Sequence, residues 1–92
     1  MNEEIVRWHL KIYGQVQGVG FRYRARYVAD NLAVSGWVRN EWDGTVEMEV
    51  QGTNLQIQKM LELINQGSYI RIEDIVRKQM PPREDVGGFH IR

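Results

Sequence analysis

Ninety-two residues without a cysteine, carrying twelve basic and twelve acidic side chains, describe one small domain over residues 1–92 with a single modest core and no net charge. The missing cysteines exclude a disulfide framework and a thiolate metal site, and His9 and His90 alone are too few for a structural zinc. The acidic start Met1-Asn2-Glu3-Glu4 is unlike a secretory leader, and no apolar run approaches the ~18 residues of a membrane span, so a soluble cytoplasmic protein is expected.

Ile5 to Tyr13 alternates, with Trp8, Leu10 and Ile12 in one phase and Arg7, His9, Lys11 and Tyr13 in the other, the pattern of a strand covered on one face. The polar phase is expected to face solvent. After a glycine-rich loop, Phe21, Ala25, Val28, Ala29 and Leu32 recur at helical spacing, while Arg22, Arg24, Arg26 and Asp30 point elsewhere. Ser35 to Glu41 and Thr45 to Gln51 flank Trp42-Asp43-Gly44, a hairpin signal because Asp and Gly tolerate positive φ. Thr53 or Asn54 offers an N-cap to a second helix whose buried stripe is Ile57, Met60, Leu61 and Ile64 and which stops at Gly67. Ile70 to Val76 predicts a fourth strand with a phase slip near Asp74, ended by Met80-Pro81-Pro82, and Phe89 to Arg92 a short last one. This order is βαββαβ plus a short C-terminal strand. It implies an α+β, ferredoxin-like sandwich with two helices on one face of an antiparallel sheet.

The charges are not mixed evenly. From Arg7 to Asn40 six basic residues face Asp30 alone, a net +5, whereas from Glu41 to Asp74 seven acidic residues face Lys59 and Arg71, a net −5. That polarity fits a local anion site better than a broad nucleic-acid surface, which would carry its basic excess over a whole face. Arg24, Arg26 and Arg39 read as a solvated rim.

The candidate site is Gly14-Gln15-Val16-Gln17-Gly18-Val19-Gly20-Phe21-Arg22 together with Asn40. Successive amides of a glycine-rich loop can turn inward around an anion, the following helix adds its positive end, and Arg22 supplies a planar, permanently charged fork. The Gly-Lys-Ser/Thr ending of a nucleotide P-loop is absent. The first two strands run parallel with the third between them, so the loop should emerge beside Asn40. The phase of the second strand puts Asn40, with Gly36 and Val38, on the helix side, and Trp37 and Arg39 on the other.

These two segments resemble the acylphosphatase family, whose pattern Gly-x-Val-Gln-Gly-Val-x-Phe-Arg followed by Gly-Trp-Val-x-Asn-x-x-Asp-Gly-x-Val-Glu is met from Gly14 to Arg22 and from Gly36 to Glu47. The likeness spans the chain. Gly67-Ser68 stands where relatives more often have Gly-Pro, and no aromatic follows Arg92. The resemblance implies hydrolysis of the carboxyl–phosphate anhydride of small acyl phosphates, without metal or other cofactor. Carried over by position, the amides of Gln15, Val16, Gln17, Gly18, Val19 and Gly20 and the guanidinium of Arg22 hold the phosphate, and Asn40 orients the attacking water. The expected partners are the acyl phosphate and inorganic phosphate, as product and inhibitor, with no nucleic acid or membrane; the expected state is a monomer.

Other residues have plainer readings. His9 and His90 fall in the polar phases of their strands and are expected at the solvent-facing sheet surface. Trp8 is expected under the helices and Trp37 over the open sheet face. Trp42, at the hairpin tip, is either a surface aromatic or a wall for the acyl side of the substrate. An RNA-binding sheet would stack bases on third-strand aromatics, yet Thr45, Glu47 and Glu49 hold that phase. The remaining alternative is a non-catalytic anion-binding or regulatory domain of acylphosphatase type, as found in hydrogenase-maturation carbamoyltransferases; those proteins continue into cysteine-rich modules.

Overall fold

A computed structural model describes residues 3–92. The elements are β1 (Ile5–Gln15), α1 (Phe21–Leu32), β2 (Ser35–Asn40), β3 (Val46–Thr53), α2 (Asn54–Asn65), β4 (Arg71–Met80) and β5 (Phe89–Ile91). They form one sheet in the order β4-β1-β3-β2-β5. Neighbours are antiparallel except β2 and β5, which run parallel, so the sheet is mixed and not wholly antiparallel as the element order implied.

One face of the sheet meets both helices. Leu10, Ile12, Val38, Val46, Met48 and Val50 from the strands pack with Phe21, Ala25 and Ala29 of α1 and Ile57, Met60 and Ile64 of α2. The period-two and helical stripes read from the sequence are therefore the core. Among the described residues no helix is long and apolar enough to cross a membrane.

Local chemistry sets the element ends. Thr53 Oγ1 accepts from the Gln56 amide at 3.1 Å while Gln56 Oε1 accepts from the Thr53 amide at 2.8 Å, a reciprocal cap of about 1 kcal/mol. The same Gln56 carboxamide donates to Leu32 O at 3.0 Å and ties the start of α2 to the end of α1. The phase slip expected near Asp74 is a bulge: Tyr13 pairs with Asp74 and Gly14 with Ile72, which leaves Glu73 unpaired. Gly14 permits this, since a Cβ there would lie 2.1 Å from the Arg71 carbonyl oxygen.

The open face departs from expectation. Arg7, read as solvent-facing, is 1% exposed. Residues 81–88 cross beside it, held by two bonds between the Gln51 carboxamide and the Arg83 backbone at 2.8 and 2.9 Å. Arg7 Nε and Nη2 lie 2.9 and 2.8 Å from Glu49 Oε1, and its Nη1 donates to Gln51 Oε1 at 3.2 Å. Trp37 covers this face as expected, edge-on to His9 and beneath the guanidiniums of Arg39 and Arg92. His9 is half-buried with Nε2 2.8 Å from Glu47 Oε1, whereas His90 is exposed. Trp8 is half-buried against the core, and its Nε1 donates to Asn54 Oδ1 at 3.2 Å.

Candidate active site

β1 and β2 flank β3 and run parallel, so their C-terminal ends share one edge of the sheet. There the chain leaves β1 as the loop 16–20 and enters α1 at Phe21. Gly18 and Gly20 take φ of 71° and 78°, left-handed values that let neighbouring amides point to one side without a side-chain clash. No backbone N–H from Val16 to Gly20 donates to an acceptor among the described residues. Gly20 is the N-cap of α1, with no side-chain cap and no acidic residue in the first turn. Among the described residues the loop amides and the positive end of the helix are therefore left without internal partners.

Beside them is a small pocket of about 100 Å³ lined by Val16, Gly18, Gly20, Phe21, Arg22, Tyr23 and Asn40. With a water occupying about 30 Å³ of liquid, the space is on the scale of one phosphoryl group. Arg22 is half-buried and Asn40 exposed. Among the described residues Arg22 has no ion-pair partner. The structure thus brings Arg22, Asn40 and the Gly18 and Gly20 backbone together. Gln15, Gln17 and Val19 do not line this pocket. They line a groove of about 700 Å³ on the other side of the loop, closed by Gly44 and by Ser68 to Arg71. Trp42 is 96% exposed and lines neither space.

The other basic residues are mostly spent elsewhere. Arg7 pairs with Glu49, Lys11 with Asp43 at 3.0 Å, and Arg39 with Glu41 at 2.7 Å and Glu47 at 3.3 Å. Arg24, expected in a solvated rim, is half-buried and donates to the Leu63 and Ile64 carbonyls at the end of α2. The charge polarity along the chain is therefore largely cross-strand complementarity between β1 or β2 and the β3 hairpin. Among the described residues Arg22 has no such partner and is the basic side chain that lines the small pocket.

The hairpin beside the pocket is more braced than its Asp-Gly signal implied. Only Gly44 has a positive φ; Asp43 does not. Its carboxylate instead accepts from the Thr45 hydroxyl at 2.6 Å and amide at 3.1 Å, and with Lys11 these hold its pKa down at about 2. Thr45, assigned to the exposed phase, is 5% exposed.

Gln17 was missed as a side chain. Its Nε2 donates to Glu41 O at 2.6 Å and Thr45 O at 2.8 Å, which joins the loop to both sides of the hairpin turn. The one available signal was a long carboxamide between Val16 and Gly18 in a loop otherwise small and apolar.

Comparison with known proteins identifies the family. The acylphosphatase family model matches residues 8–91. An acylphosphatase from Clostridium acetobutylicum is 40% identical over 86 residues, covering 92% of this chain and 94% of the relative. One from Thermococcus kodakarensis is also 40% identical over 86 residues, covering 94% of each. The crystal structure of acylphosphatase from Bacillus subtilis superposes with a TM-score of 0.85 at 32% identity, over 95% of this chain and 98% of that one. The chain belongs to the acylphosphatase family and is an enzyme of that family, a hydrolase acting on acyl phosphates.

Proposed function

We propose that the phosphoryl group of the substrate sits against the open loop amides around Gly18 and Gly20 and the Arg22 guanidinium, with Asn40 holding the water that attacks it. The observation that carries this is the single pocket shared by Arg22, Asn40, Gly18 and Gly20, with no carboxylate paired to Arg22 among the described residues. The water oxygen bonds to phosphorus as the bond from phosphorus to the carboxyl oxygen breaks, and that electron pair leaves on the carboxylate. The water protons end on phosphate or in solvent. A carboxylate leaves without help from an acid, and the loose transition state calls for clamping and alignment more than for a base. Arg22 and the open amides match the charge on the equatorial oxygens. Inorganic phosphate competes for the same cradle, and one chain supplies every group named, so the enzyme works as a monomer. The neutral, cysteine-free composition fits the cytoplasm.

Hydrolysis of benzoyl phosphate in chelator tests the reading. Asn40→Ala should lose ~10²-fold or more in kcat while the competitive inhibition constant for phosphate changes little, and Arg22→Ala should weaken both. Wild-type turnover in either variant would overturn the assignment of that residue.

A further inference from the structure

The cradle and Asn40 belong to different segments, yet an in-line displacement needs them in one register, since a misplacement of about 1 Å can cost ~10²-fold in rate. We infer that Gln17 is a positioning residue: its carboxamide fixes the distance between the loop and Asn40 without touching the reacting atoms. This rests on the roles proposed above for the cradle and Asn40.

The sheet holds Asn40 firmly, because it forms the last rung of the β2–β3 ladder opposite Val46. The loop has no such ladder. The amides of residues 16–20 bond to nothing among the described residues, so side chains must place the loop. Val16 anchors one end in the core, at 1% exposure, but apolar contact sets no direction. The directional tie is Gln17. Its two acceptors, Glu41 O and Thr45 O, lie one residue beyond Asn40 and one before Val46, on opposite strands just past that last rung. One carboxamide therefore grips both strands next to Asn40, while the backbone of the same residue leads directly into Gly18 of the proposed cradle. Its orientation is settled as well, since Oε1 in place of Nε2 would face two carbonyl oxygens.

The tie is not needed to close the turn. Glu41 O also accepts from the Gly44 amide at 3.2 Å, and Thr45 O from the Glu41 amide at 2.9 Å. Removing the Gln17 donors leaves each carbonyl with its backbone partner, so the hairpin persists and the loop loses its reference to it. Lys11, Asp43 and Thr45 stiffen the acceptor side, through the Lys11–Asp43 pair and the Thr45 hydroxyl on Asp43.

The test is a double-mutant cycle on benzoyl phosphate turnover with Gln17→Met, which keeps the volume and removes both donors, and Asn40→Ala. Gln17→Glu, which keeps the reach and also lacks the donors, serves as the second variant. Folding is followed by thermal unfolding and circular dichroism. Gln17→Met should lower kcat by ~10-fold to ~10²-fold in the wild-type background and by no more than about 3-fold beside Asn40→Ala, where no aligned water remains to misplace. The inhibition constant for phosphate should move less than about 3-fold, because Arg22 and the amides stay together. An unchanged kcat in folded Gln17 variants, an equal loss in both backgrounds, or a loss that only follows the unfolded fraction would overturn the inference while leaving Asn40 in its role. Wild-type kcat in Asn40→Ala alone would overturn the underlying reading, and this inference with it.

Discussion

Arg7 and Arg22 stand in the same small molecule in opposite states. Arg7 is buried on the open sheet face with Glu49 and Gln51 occupying its guanidinium, while Arg22 sits half-buried beside the open amides of the loop with no ion-pair partner among the described residues. A guanidinium saturated by a carboxylate holds structure together and has little left to offer a ligand. One kept clear of carboxylates can meet an incoming phosphoryl group without first losing a competitor. Total basic charge is therefore a poor guide to the site; an unpaired guanidinium set beside open backbone amides is a better one.

The two arginines should separate cleanly on substitution. Arg22→Ala is expected to lose ~10³-fold or more in kcat/KM, beyond the usual cost of one oxyanion donor, with stability within about 0.5 kcal/mol of wild type. Arg22→Lys should fail as well, because a point charge cannot reproduce the two-pronged geometry. Steady-state kinetics beside urea unfolding measure both quantities, and a large stability loss in Arg22→Ala would erase the contrast. Arg7→Met should show the converse. It strands the Glu49 carboxylate, whose side chain is only 15% exposed, and should cost about 3 kcal/mol while kcat per folded molecule stays at the wild-type level.

A smaller effect sharpens the comparison at the hairpin. Asp43 has a folded pKa lowered from 3.8 to about 2 by the Thr45 hydroxyl and amide and by Lys11. A depressed carboxylate pKa contributes stability above the unfolded value, and that contribution is lost as pH falls from near 3.8 through about 2. Asp43→Asn should flatten the acid limb of the stability profile in that window, modestly because solvent screens the group. Acid titration of thermal stability, wild type against variant, checks it. The smallest change is expected for Trp42→Ala: its side chain is 96% exposed and lines neither space beside the loop, so kcat and KM for benzoyl phosphate should hold within about 2-fold. A large rise in KM would restore Trp42 as a wall for the acyl group.

Much of this was legible in the chain. Alternation in β1 and the hairpin strands, helical spacing in α1 and α2, the Thr53 cap and the slip near Asp74 all report local backbone chemistry, and local chemistry is written in neighbouring residues. The glycine loop, Arg22 and Asn40 were legible through their motif, although Arg22 and Asn40 lie eighteen positions apart. The misreadings share one cause. Arg7, Arg24 and Thr45 were placed by phase alone, which tells which face a side chain takes but not what crosses that face.

Periodicity and turn chemistry thus settled the element order, the core stripes and the loop that could receive an anion, because each depends on residues a few positions apart. Which carbonyls Gln17 reaches, how the Arg83 backbone meets Gln51, and how Glu49 and Gln51 occupy the Arg7 guanidinium depend on groups brought together from distant parts of the chain. Only strand order and register decide such meetings, since a side chain's partners are set by the neighbouring strand and not by its own.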